Sequence, residues 1–83
     1  MVTIKTSKMG DNLYGSIIEV FKIESIGTTE IESILKVKFK LEELYENLKT
    51  EYLKAPDDLI RRKLLYLKIH WKDEPFFIYE LIK

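Results

Sequence analysis

Hydrophobic and polar positions alternate strictly in two places along the chain, Leu35-Lys36-Val37-Lys38-Phe39-Lys40-Leu41 and Leu67-Lys68-Ile69-His70-Trp71-Lys72. A period of two sends successive side chains to opposite faces of a pleated strand, so each stretch predicts a strand with one apolar and one basic face. Val2 to Thr6 predicts a further short strand, followed by a loop through Met9-Gly10-Asp11-Asn12. The segment from Ser16 to Ile26 is dense in Ile, Val and Phe and admits two readings. As a helix it would be capped by Asp11 and ended by Gly27, with Leu13, Ile17, Val20, Phe21 and Glu24 in helical register. As a strand it would turn at Gly27-Thr28-Thr29 into Glu30 to Leu41. The strand is preferred, because that hairpin pairs Phe21 with Leu35 and Ile17 with Phe39 on one face. Lys22, Glu24, Glu32, Lys36 and Lys38 then fall together on the other.

After Leu41 the period changes. Leu41, Leu44, Tyr45, Leu48 and Tyr52 follow one helical face, with Glu42, Glu43, Glu46, Lys49 and Glu51 opposite. Pro56 ends this helix and opens a second, with Asp57 and Asp58 behind it and Ile60, Leu64 and Leu67 as the buried edge. Beyond Tyr66 the alternation returns, Lys72-Asp73-Glu74-Pro75 reads as a turn, and Phe76 to Ile82 as a strand. The predicted class is therefore α+β, a single domain over residues 1–83. It comprises an antiparallel sheet, made of an N-terminal hairpin over 16–41 and a C-terminal hairpin over 67–82, with a helical hairpin (41–54 and 56–66) packed on one face. Leu44, Leu48, Leu64, Phe39 and Trp71 are the expected core.

Size and composition narrow the class further. A chain of 83 residues buries only about 60 to 65% of the surface its unfolded form exposes. A hydrophobic content of 46% still suffices for a packed core and argues against disorder. There is no cysteine, so neither disulfides nor thiolate ligands supplement that core, and a cytoplasmic location is expected. No apolar run approaches the ~20 residues of a membrane span, and Met1 to Gly10 lacks the apolar segment of a signal peptide, so no membrane partner is expected. Twelve Lys and ten Glu stand beside one Ala and no Gln, a balance that leans toward thermophile surfaces. In this it resembles the small reading frames of thermophilic archaea and their viruses, although an AT-rich genome would give the same bias. Fourteen basic and fourteen acidic side chains cancel, whereas a nonspecific DNA-coating protein is usually basic overall.

Chemistry is poorly represented. His70 is the one histidine, and no Ser-His-Asp or His-Glu-x-x-His arrangement can be assembled around it. Its turn neighbours Asp73 and Glu74 fall short of a metal-ligand set. Gly10-Asp11-Asn12-Leu13-Tyr14-Gly15-Ser16 has the two-glycine spacing of a phosphate loop, but Ser16 stands where the lysine belongs. No catalytic residue, cofactor or metal is assigned, and a non-enzymatic binding module is expected.

Two routes lead to nucleic acid. The first is a basic sheet face formed by Lys36, Lys38, Lys40, Lys68, His70 and Lys72, able to follow a phosphate backbone. It lacks exposed stacking aromatics, since Phe39 and Trp71 point to the opposite face. The second rests on element order: helix, helix, β-hairpin over Leu41 to Ile82 resembles winged helix-turn-helix domains. That resemblance implies base contacts from Arg61, Arg62 and Lys63 at the start of the second helix. Asp57 and Asp58, four residues ahead of the arginines, instead favour local helix ion pairs. The competing class is protein interaction. Five tyrosines cannot all fit one small core, so a homodimer or an inhibitor docking on another protein is the alternative. Nucleic-acid association is placed narrowly ahead.

Overall fold

The structure is a computed structural model that describes residues 1–82. Its elements run β1 (Val2–Gly10), β2 (Leu13–Ile18), a 3-10 turn (Glu19–Phe21), β3 (Ile23–Gly27), α1 (Glu30–Lys54), α2 (Asp58–Leu67), a π-helical turn (Lys68–Lys72) and β4 (Phe77–Ile82). The four strands form one sheet in the order β3-β2-β1-β4. β1 pairs antiparallel with β2 and parallel with β4, and β2 pairs antiparallel with β3. The class is α+β with helices packed on the sheet, and the sheet is mixed where an antiparallel one was expected.

The largest departure from the sequence reading lies at 30–41, which is helix and not the second strand of a hairpin. Thr29 caps it: its side chain accepts the Glu32 N–H at 3.1 Å, the N-cap geometry that starts a helix. The strand expected over 16–26 is in turn split in two. It breaks at the 3-10 turn, which Lys22 closes with φ 55° in the left-handed region, and β3 folds back on β2.

Both alternating stretches misled for one reason. Positions i and i+4 share a face in a strand and in a helix alike. Val37 and Leu41 are buried as the strand reading required, and so are Leu67 and Trp71. The residues two places away separate the readings: Phe39 is 67% exposed and Ile69 56%. Leu67 to Lys72 therefore finishes the second helix, residues 67–82 form no hairpin, and β4 joins the sheet beside β1. The expected helices over 41–54 and 56–66 are present, the first extended N-terminally to Glu30. Asp57, not Pro56, sets the start of α2, its carboxylate accepting the Leu59 N–H at 2.7 Å.

The helical stripe Ser33, Val37, Leu41 and Leu48 faces the sheet, where Val2, Ile4 and Ile18 meet it, and Leu67 and Trp71 complete the core. Leu44 and Leu64 pack at its margin. Along one cross-strand row, Thr6, Ser16 and Ser25, the interface turns polar. Thr6 and Ser16 hydroxyls lie 2.8 Å apart, Ser16 and Ser33 2.7 Å, Ser33 donates to the Glu30 carbonyl, and Ser25 donates to the Ser33 carbonyl. Buried hydroxyls are tolerated when each finds a partner, as here. Small side chains let the start of α1 approach closely, and a Cβ on Gly27 would stand 2.6 Å from the Ser33 nitrogen.

Candidate functional site

Helical geometry scatters the lysines that an extended segment would have aligned. Lys36 and Lys40, one turn apart, both lean toward β3, while Lys38 between them leans toward β4 at the opposite margin of the sheet. Lys36 donates to the Ile26 carbonyl at 3.2 Å and pairs with Glu32 at 3.1 Å. Lys40 donates to the Glu24 carbonyl at 2.6 Å. The Lys38 ammonium stands 4.6 Å and 4.9 Å from the ring centres of Phe77 and Tyr79, within cation–π range.

In the second group, Lys72 and His70 are likewise engaged locally. Lys72 lies 4.1 Å from the Trp71 ring centre and 4.8 Å from that of Tyr45, with Glu42 at 3.5 Å. His70 packs its ring against Tyr66 at 4.3 Å between centres. Lys68 and Arg61 line a shallow groove with Tyr45, Tyr52 and Leu64. Arg62 borders a different one, floored by Val20, Phe21, Leu44 and Leu48. The eight candidate residues do not converge on one basic face, and the hairpin needed for a wing is absent because residues 68–72 are helical. Among the described residues no three His, Cys, Asp or Glu side chains are grouped to hold a metal ion. No described helix is long and apolar enough to cross a membrane.

What the tertiary structure does assemble is a contrast between the two sheet edges. On the β3 edge, the outward carbonyls of Glu24 and Ile26 are occupied by Lys40 and Lys36. A sheet edge is a template for another strand unless something blocks it, and lysine is a common block. On the β4 edge no comparable cap exists among the described residues. The strand there reads Phe-Ile-Tyr-Glu-Leu-Ile. Tyr79 is 52% exposed and Leu81 60%. Their register with Ile4 and Thr6, both buried beneath α1, puts them on the helix side of the sheet, beyond the helix's cover.

A second apolar surface runs along the outer side of α1. Ile31, Leu35 and Phe39 follow one another at four-residue intervals and are all exposed. They border a shallow depression with Glu43, Lys36 and Lys40.

Sequence reading counted Tyr79 among the surplus tyrosines but assigned β4 no role. The signal was present in the run Phe76 to Ile82, broken only by Glu80. Such a run marks either a strand covered on both faces or an edge with apolar surface to cover. No protein-family model, curated protein or solved structure matches the chain.

Proposed function

We propose that this chain is a binding module, not a catalyst, and that it works by protein–protein interaction as a homodimer. The observation that carries the reading is the apolar surface left in water on one side of the sheet and along the outer face of α1. A chain of this size that exposes such side chains in contiguous rows gains most by covering them with another protein surface. A net charge of zero lets like copies approach without long-range repulsion.

Nucleic-acid association ranks behind it. Lys36, Lys40 and Lys72 already have intramolecular partners. Of the candidate residues, Arg61, Arg62 and Lys68 are the exposed cations left to serve it. Fluorescence anisotropy with mixed-sequence duplex and single strands at low salt separates the two readings. Binding that weakens with salt and is lost in Arg61→Ala with Arg62→Ala would favour the nucleic-acid one.

The direct test of the homodimer is sedimentation over a range of concentrations, together with thermal melting. The expected mass is twice that of one chain, and the melting temperature should rise with concentration through mass action. A single-chain mass at every concentration would overturn the proposal.

A further inference from the structure

Self-association leaves open which surface joins the copies, and the unequal sheet edges decide it. We propose that β4 pairs antiparallel with β4 of a second copy across a two-fold axis at Tyr79, so that two four-stranded sheets become one of eight strands. This rests on the homodimer reading above and adds the surface and the register.

The first ground is that, among the described residues, this is the edge whose outward carbonyls carry no lysine cap. The Phe76 carbonyl accepts from the Val2 N–H at 3.0 Å. Peptide groups alternate in direction along a strand, so Phe76, Ile78, Glu80 and Ile82 turn theirs toward β1. Phe77, Tyr79 and Leu81 therefore turn their N–H and C=O groups outward. At the other edge, Lys36 and Lys40 occupy the corresponding carbonyls. The outer stripe of α1 is apolar too, but a helix has no free main-chain ladder to give.

The second ground is that the sequence of β4 selects one register. Directly opposed residues in an antiparallel pair lie on the same face, so a two-fold axis must bring some residue opposite its own copy. An axis at Glu80 would set two carboxylates against each other, a destabilising cross-strand pair. An axis at Tyr79 sets Tyr79 against Tyr79, Phe77 against Leu81, Ile78 against Glu80 and Phe76 against Ile82. It engages every outward N–H and C=O of Phe77, Tyr79 and Leu81. It also puts the aromatic and aliphatic side chains of the helix side against each other. Axes at Phe77 or Ile78 would draw in Pro75, which has no N–H to give, and would leave part of β4 unpaired.

The absence of cysteine makes the register directly readable, because a single introduced thiol reports one position. In a hydrogen-bonded antiparallel pair the opposed Cα atoms are about 5.5 Å apart, within disulfide reach. Full-length Tyr79→Cys, Glu80→Cys, Leu35→Cys and Glu24→Cys would be oxidised mildly and resolved without reductant. Tyr79→Cys should cross-link to a covalent dimer. Glu80→Cys should not, its copy lying diagonally about 7 to 8 Å away, and neither should Leu35→Cys nor Glu24→Cys.

A parallel readout on the unaltered chain guards against a variant that misfolds. Amide exchange at Phe77, Tyr79 and Leu81 should slow as concentration rises through the dimerisation range, while that at Glu24 and Ile26 stays unchanged. A sedimenting dimer that links through Leu35→Cys or Glu24→Cys, with no concentration-dependent protection in β4, overturns this pairing and leaves self-association standing. Preferential linkage of Glu80→Cys overturns the register. A single-chain mass at all concentrations overturns both proposals.

Discussion

The two edges of the sheet differ in length, composition and neighbours. β3 has five residues, ends in glycine, and lies under the first turns of α1, whose lysines reach over it to its outward carbonyls. β4 has six residues, five of them large and apolar, and among the described residues the lysine that reaches it is Lys38, over the rings of Phe77 and Tyr79 and not onto the backbone. The interior repeats the asymmetry. One row across the sheet carries the hydroxyls of Thr6, Ser16 and Ser25, joined by Ser33 of α1 and buried toward β3, and at β4 the same row ends in Leu81, which meets water. Two edges of one sheet treated so differently indicate that edge protection is a local choice of side chains and not a by-product of the fold.

The strongest way to break this comparison is to loosen α1, which supplies the lysines at one edge and the partial cover at the other. Leu41→Ala empties a fully buried position and should cost about 2 to 5 kcal/mol in denaturant unfolding, through transfer and cavity terms. Phe39→Ala, two residues away and on the solvent side, should stay within about 0.5 kcal/mol in the same assay. Similar losses for both would mean that the helix register is different.

Uncapping the β3 edge is a smaller perturbation with a visible outcome. Lys36→Ala with Lys40→Ala should cost under about 1 kcal/mol, because both contacts are exposed. It should nevertheless free a second edge. A chain with two open edges can add copies without limit, so the sedimenting mass should grow beyond a dimer with concentration. An unchanged mass distribution would show that the lysines are not what protects β3.

The smallest effect concerns acid. The Thr28 hydroxyl first, and the Lys36 ammonium second, hold the Glu32 carboxyl below its ordinary value of 4.5. A depressed carboxyl contributes stability that is present above pH 4.5 and fades as pH falls through the lower folded value. Melting followed across the acid range should show this fade at the start of α1, and Glu32→Gln should flatten it. Because Lys36 also serves the Ile26 carbonyl, the titration reports on the β3 cap as well.

Local chemistry determined much of this protein. The helical stripe from Leu41 to Tyr52, the break at Pro56, the start of α2, the first half of β1 and the last strand were all legible, because each rests on short-range pattern, whereas β1 runs on to Gly10 through the start of the expected loop. The α+β class followed from their order. A start signal for α1, Thr29 followed three places later by Glu32, is missed because Gly27-Thr28-Thr29 reads as a hairpin loop.

Tertiary packing decided the rest. Over seven residues, periods of two and of four coincide at every second apolar position, so only the long stripe Ser33, Val37, Leu41 and Leu48, pressed on the sheet, separates helix from strand at 30–41. The same ambiguity hid the helical end at Lys68–Lys72. The placing of β4 beside β1, and with it the difference between a guarded edge and an open one, depends on contacts between segments about seventy-five residues apart. No local period encodes them, because strand order is set by how the whole apolar surface is covered.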